Sequence, residues 1–265
     1  MRSAWLLARK EWTEIRRDYY VLGIILFVPV VMVVALASFI SINTSYFLHN
    51  ADKVQAMLGQ FPPGYVANLT RFTDIQKLII LPIKLVGIPF FLLVPLIVSG
   101  IITSDSFAGE KERGTLEALL TAPLTDRSLF YGKVLSSGLP SLVMSWVTFA
   151  ILTVVVSGKV NPHFAERVFP DRAWMITMAA VLPAFIVFAV VIEILISSKV
   201  HSVKAASAIN MVLTLPVLGA MMTQATGYFL FDEGKVGVIA ALLAAADAIL
   251  LWRGPRWIGR AKIFG

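Results

Sequence analysis

Three titratable residues stand inside long apolar runs and are the first candidates for chemistry: Lys84, Glu193 and Asp247. A charge at the centre of a membrane-crossing helix costs about 2.5–3.5 kcal/mol on insertion scales, so such a residue is a candidate contact for an ion or a polar substrate. Each also has a plainer reading. At 1.5 Å of rise per residue, Lys84 lies about 9 Å from the nearer end of its run, where its long side chain can snorkel to water. Glu193 lies about one turn from one end of its run and is expected to reach the interface. Asp247 is deeper, about 16 Å from one end. Lys84 and Asp247 are close in depth and able to meet, whereas Lys84 and Glu193 belong near opposite faces. Met211, Met221, Met222 and Gln224 share one run, where they line a permeation path or face lipid and neighbouring helices.

Enzyme signatures are missing from the sequence. There is no cysteine, and His49, His163 and His201 have no ligand spacing. Neither HExxH nor GxSxG occurs. A phosphate-binding loop needs GxxxxGK followed by Ser or Thr. The Gly-Lys pairs at Gly132, Gly158 and Gly234 are each followed by Val and lack the upstream glycine. The chain is therefore expected to hold no catalytic residue, no metal and no cofactor.

The elements that must position these residues follow from composition. The 265 residues are 58% hydrophobic and 15% charged, and the mean hydropathy is +0.81. A soluble domain carries about 25% charged residues, so too few polar groups are present to cover a water-facing surface. A bilayer accepts such an exterior. Apolar runs place spans at 20–42, 78–103, 134–157, 173–196, 206–230 and 236–252. The sixth is short and contains Asp247, so five spans with a shallow last helix is the alternative. The expected fold class is all-α, a polytopic membrane protein with a single transmembrane domain over 1–265. Seven prolines fall in the spans, at Pro29, Pro82, Pro89, Pro95, Pro140, Pro183 and Pro216, where they permit kinks.

The net charge of +7 is a matter of distribution. With the N-terminus in the cytoplasm, inner segments hold 15 of the Lys and Arg residues and outer loops hold 7. The positive-inside rule thus puts both termini in the cytoplasm, and the basic balance points to membrane topology rather than nucleic acid. Ala35-Leu36-Ala37 resembles a signal-peptidase site, but Glu11, Glu14 and Asp18 in the preceding segment argue against cleavage. The outer loop 43–77 carries the turn Pro62-Pro63-Gly64, and 104–133 is the long cytoplasmic segment.

Two segments carry more information. In 1–19, Trp5, Ala8, Trp12, Ile15 and Tyr19 share a narrow helical arc, with Lys10, Glu14 and Arg17 opposite. Such a helix lies in the inner interface, as an anchor or as a lever that offers its polar face to a partner. In 104–133 the second span continues as a polar helix through Glu110, Lys111, Glu112 and Arg113, and Gly114 breaks it. Thr115 is suited to N-cap the next helix, with Glu117 in its first turn. Leu116, Leu119 and Leu120 share one face of a short helix over about 116–121, and Pro123 closes it. Thr125 and Asp126 start another helix that leads through Lys133 into the third span. The leucine face dips into the leaflet or docks a partner.

The pattern Glu110-x-Glu112-Arg113-Gly114-Thr115-Leu116-Glu117-x-x-Leu120-x-x-Pro123, with Gly132-Lys133 after it, resembles the signature of ABC type-2 transporter permeases. Ala8-Arg9-Lys10-Glu11-Trp12 with Arg16-Arg17-Asp18 is similar to that family's N-terminal connecting helix, with Trp12 at a position where leucine is commoner, and Pro29 sits in the first span as is usual there. The resemblance implies that 110–123, Leu119 included, is a coupling element seated in a cleft of a cytoplasmic ATPase. It implies that 9–17 (Arg9, Lys10, Glu11, Arg16 and Arg17 among them) contacts the same subunit. It also implies an exporter of two permeases and two ATPases in the prokaryotic inner or plasma membrane, with ATP and Mg on the ATPase. The large outer domain of some members is missing. A reading from another class is a secondary transporter or channel that uses Lys84 or Asp247 with an ion gradient and no nucleotide.

Overall fold

In a computed structural model of the chain, residues 2–50, 53–59, 61, 66, 69–115, 125–225 and 233–257 are described. Among these the chain is helical without strands. The elements are α1 (Arg2–Arg17), α2 (Tyr19–His49), α3 (Val54–Leu58), α4 (Asp74–Ser104), α5 (Glu110–Glu112) and α6 (Asp126–Val160). They continue as α7 (Arg172–Ile176), α8 (Leu182–Lys199), α9 (Val203–Val212), α10 (Thr214–Ala225) and α11 (Glu233–Trp257). π-Helical turns at Asp105–Gly109 and Thr177–Val181 join α4 to α5 and α7 to α8 without a break in the helical path.

Six helical stretches among the described residues are long and apolar enough to cross a membrane. The last, Glu233–Trp257, has 25 residues, which at 1.5 Å each is about 37 Å and exceeds the roughly 30 Å hydrocarbon core. The count is thus six rather than five. The fifth is built from α9 and α10 with a break at Leu213, and Pro216 falls in the first turn of α10, where a missing N–H is tolerated. Residues 226–230, assigned to this span from hydropathy, lie outside the described residues.

The α4 helix is the centre of the bundle. It touches α2, α6, α8, α9 and α10, and 72% of its apolar window is buried, against 11% for α11. A helix apolar on every side is the kind that can be enclosed, and α4 carries Leu78, Leu81, Val94 and Val98, each fully buried. Its first turn is fixed by a capping box: the Thr73 hydroxyl accepts from the Gln76 N–H, and the Gln76 side chain accepts from the Thr73 N–H. Midway along, the Trp174 indole stacks on Phe149 at 5.6 Å between ring centroids and meets Phe91 and Phe169 edge-on.

The two ends of the bundle are distinct. One gathers α1, the turn and helix at 105–115, the start of α6, the end of α8 and the end of α11. Contacts there include Lys111 Nζ to the Ser198 carbonyl at 2.6 Å and the Tyr131 hydroxyl to the Leu251 carbonyl at 3.0 Å. The other end gathers the start of α4, the loop at 161–172, the end of α10 and the start of α11. There the Gln76 amide donates to the His163 carbonyl at 2.9 Å, and Asn161 clasps the backbone of Val168 and Phe169.

The protein-facing side of α1 takes in only part of the aromatic arc, Ala8 and Trp12, and leaves Trp5 and Tyr19 outside it. Ala4, Leu7, Ala8 and Glu11 are the buried residues, at i, i+3, i+4 and i+7, and they pack on α6. Trp5 is about half exposed at 49% and Tyr19 is 86% exposed. An apolar arc of bulky aromatics cannot approach a neighbouring helix as closely as alanine. The two helices approach closely at Gly132, where an added Cβ would stand 2.7 Å from Leu7 Cδ2.

Candidate functional site

The densest polar chemistry lies where α1, the stem at 105–115 and the start of α6 meet. Lys133 is its centre. It is fully buried, and its ammonium contacts Glu11 Oε1 at 2.6 Å, Glu110 Oε1 at 3.0 Å and the Ser106 carbonyl at 3.0 Å. Its Nζ also lies 5.0 Å from the centre of the Phe107 ring. Glu11 comes from α1, Glu110 from the stem and Lys133 from the root of the third span. The three side chains therefore tie three elements to one point. Trp12 adds a second tie from α1, its indole N–H donating to the Ser136 carbonyl at 2.9 Å.

The stem is fixed along its length. Arg113 reaches back to Asp105 with both guanidinium nitrogens, at 2.8 and 3.3 Å, and these hydrogen bonds push the guanidinium further up from its already high pKa. Glu112 accepts from the N–H of Val203 at the start of α9, at 3.0 Å. The break at Gly114 is real: its φ is +69°, a left-handed conformation open to glycine without penalty. The N–H of Thr115 bonds the Glu110 carbonyl at 2.9 Å and that of Gly114 bonds the Lys111 carbonyl at 3.1 Å, which is a Schellman cap. The Thr115 hydroxyl also faces the Glu110 carbonyl, at 3.4 Å. Leu116, Glu117, Leu119, Leu120 and Pro123 lie outside the described residues. Thr125 caps α6 by accepting from the Ser128 N–H.

Of the α1 residues named from sequence, Glu11 alone enters the buried centre. Arg9, Lys10, Arg16 and Arg17 are exposed, with Lys10 paired to Glu14 at 3.2 Å. In the sequence Lys133 stands in a motif and Glu11 is one residue of a helix, and nothing local joins them. The available signal was the pair Gly132-Lys133 at a helix root, opposite a carboxylate on the small-residue face of α1.

The intramembrane charges do not form one site. Lys84 pairs with Asp171 at 2.8 Å, so it is not the partner of Asp247. Asp171 also caps α7 by accepting from the Trp174 N–H at 3.1 Å. Asp247 is 7% exposed, and its Oδ1 has no hydrogen-bond partner among the described residues. Glu193 does not reach an interface. It is fully enclosed, accepting from the Ser99 hydroxyl at 3.0 Å and the Thr103 hydroxyl at 2.8 Å, both on α4. Gly100, between those residues, makes room for it: an added Cβ would lie 3.4 Å from Glu193 Oε1. Being one turn from the end of a run places a side chain in depth, but the azimuth of Glu193 aims it at α4 rather than at water. Met211 and Met222 are exposed, at 70% and 66%, so neither lines an enclosed path within this chain.

Replacing Glu193 by Gln keeps an acceptor for one of the two hydroxyls and turns an amide donor toward the oxygen of the other, and it is expected to change unfolding free energy in mixed micelles by less than about 1 kcal/mol, because polar contacts in membrane helices average about 0.6 kcal/mol. Glu193→Lys is expected to destabilise by about 2.5–3.5 kcal/mol, the scale for a charge at a helix centre. Equal midpoints for the two variants would contradict this account.

Comparison with protein families matches residues 5–249 to the family described as ABC-2 family transporter protein. The match spans the six crossing stretches almost entirely. The chain belongs to the ABC-2 transporter family. Comparison with curated proteins returns no match. As an ABC-2 family permease it is a multi-pass membrane protein with the six apolar helices of a transport subunit. Such a family member works with an ABC ATPase, and two members of the Lys133 cluster, Glu110 and Lys133 itself, belong to the signature stretch.

Proposed function

We propose that this ABC-2 permease is the membrane subunit of an exporter, driven by ATP hydrolysis on a separate cytoplasmic ATPase. The ATPase docks on 110–123 and on the exposed face of α1, which carries Arg9, Lys10, Arg16 and Arg17. Two permeases and two ATPases make the assembly, and ATP and Mg belong to the ATPase. The end of the bundle that holds α1 and the stem faces the cytoplasm, in agreement with the excess of Lys and Arg there, and both termini lie on that side of the cell membrane. The path for the exported molecule runs between the two permeases.

The observation that carries this reading is the Glu11–Lys133–Glu110 cluster. A push on the segment after Gly114 acts on the stem. The stem is locked through Lys133 to the root of the third span and to α1, through Lys111 to α8 and through Glu112 to α9. A force at the docking segment is therefore delivered to several crossing helices at once instead of being lost in a loose loop. This is the arrangement a mechanical input requires.

Leu116→Asp with Leu120→Asp is expected to abolish co-purification of the ATPase and ATP-dependent export while leaving the permease folded. The measurement is affinity capture of the permease from membranes, followed by ATPase activity of the eluate. Full retention of assembly and export by the double variant would refute docking on this segment.

A further inference from the structure

The end of α11 carries a charged patch that nothing in the bundle answers. Gly254 and Pro255 are buried there, and Gly254 lies so close to the Phe130 ring that an added Cβ would overlap it. The Tyr131 hydroxyl holds the Leu251 carbonyl beside them. These contacts fix the azimuth of the helix end. At about 100° per residue, the face opposite Gly254 and Pro255 presents, in angular order, Trp252, Arg256, Arg253 and Trp257. The two arginines stand about 60° apart at its centre, and each tryptophan lies about 40° beyond one of them. All four side chains are exposed.

No anion meets these arginines. Among the described residues neither forms an ion pair, and each contacts the Trp252 ring, whose centre lies 5.8 Å from Arg253 Cζ and 5.4 Å from Arg256 Cζ. Residues 248–265 contain no Asp or Glu. Like charges one helical turn apart repel, and an anion shared by both relieves that repulsion. Height along the helix says where the anion must come from. About 20 residues cross a hydrocarbon core of roughly 30 Å, so counted from Glu233 the far boundary falls near Arg253. Below the arginines, Val238, Leu242 and Ile249 are each more than half exposed. At about 100° per residue all three fall within the sector that the two arginines span. One exposed apolar stripe thus leads up to one cationic pair.

We propose that this face of α11 binds an anionic phospholipid, with its phosphodiester on Arg253 and Arg256 and an acyl chain along Val238, Leu242 and Ile249. Guanidinium groups present planar N–H forks that match phosphate oxygens. Tryptophan favours the headgroup level of a bilayer, and the two indoles flank the seat on either side. A free phosphate or an acidic protein segment would engage the arginines and leave the apolar stripe beneath them unused. A lipid uses both. The site needs no ATPase and is independent of docking on 110–123.

The test titrates the purified permease in detergent with dioleoylphosphatidylglycerol or with dioleoylphosphatidylcholine, which has the same chains and no net charge. Native mass spectrometry reads the affinity for the first bound lipid. A basic residue near an anionic surface is worth about fivefold in binding, so phosphatidylglycerol is expected to bind roughly thirtyfold tighter than phosphatidylcholine. Arg253→Gln with Arg256→Gln is expected to remove that preference and leave Tm in detergent unchanged, as for other exposed positions. Lys159→Gln with Arg167→Gln removes the same charge from exposed positions at the other end of the bundle. It is expected to keep the preference within about twofold, because charges so far apart are screened from each other. Glycerophosphoglycerol, the headgroup without chains, is expected not to displace the lipid. If the two lipids bind alike, or if both double variants lose the preference equally, the proposal fails. If glycerophosphoglycerol displaces the lipid as well as phosphatidylglycerol does, the arginines take a free phosphodiester and the lipid assignment is overturned. It is overturned too if the arginine variant keeps the lipid preference but changes the oligomeric mass or lowers ATPase capture, since the arginines then meet a second copy or the ATPase.

Discussion

Lys133→Met is expected to destabilise the permease by about 3–5 kcal/mol, the scale for removing one member of a buried ion pair. The reason is what stays behind. Glu11 and Glu110, each under a tenth exposed, would face one another without the cation that both contact. The Ser106 carbonyl would lose its donor as well. Methionine is close to lysine in length and apolar character, so the loss reads charge and donors rather than volume. The measurement is the midpoint of SDS-induced unfolding in mixed micelles. A shift equivalent to less than about 1 kcal/mol would show that the cluster does not hold the three elements together. Adding Glu110→Gln to Lys133→Met removes one of the stranded charges and is expected to recover part of the loss, with a coupling energy of about 0.5–3 kcal/mol for groups in contact. Export is expected to fall more than stability alone explains, because the stem and the third span would no longer move as one body.

Gly87→Ala is the second large expected effect, and its sign is the informative part. In an open helix position this change stabilises by roughly 0.5–1 kcal/mol, since glycine is a poor helix former. At Gly87 the new Cβ would stand 2.8 Å from Trp174 Cζ2. The indole has nowhere to go: it is 2% exposed and is held by Phe91, Phe149 and Phe169. Overpacking of this kind costs about 1–3 kcal/mol, which outweighs the gain in helix propensity. Gly158→Ala is the matched control, since nothing lies within 4 Å of the Cβ it would add inside α6. The two variants are expected to move the unfolding midpoint in opposite directions, with a shifted tryptophan emission for Gly87→Ala. Stabilisation by both would mean that Trp174 yields.

The span count was legible because transfer of about 20 apolar residues into hydrocarbon is an additive property of the segment and needs no knowledge of neighbours. Helix limits were legible for a similar reason. Gly114, Thr125 and Asp126 act through local backbone geometry, and the left-handed φ at Gly114 and the Thr125 cap follow from residue type. The azimuth of α1 was only half legible. Its aromatic arc identifies the bulky side, but the choice of Ala4, Leu7, Ala8 and Glu11 as the packed side depends on Gly132 on another helix. Hydropathy places Lys84, Glu193 and Asp247 in apolar runs, and it ranks them by depth alone.

The sequence by itself determined that this is a membrane protein of five or six spans, that its stem stops at Gly114, and that it carries no nucleotide-binding loop, with a signature that resembles a family confirmed over residues 5–249; the length of the last helix decided six. Only the tertiary structure decided which charges meet. Lys84 meets Asp171 and Glu193 meets Ser99 across 87 and 94 residues of chain, and Lys133 binds Glu11 from a helix before the first span. A buried charge is settled by whichever partner the packing of helices brings within about 3 Å. That azimuth is fixed jointly by every helix in the bundle, and no local pattern in the chain encodes it.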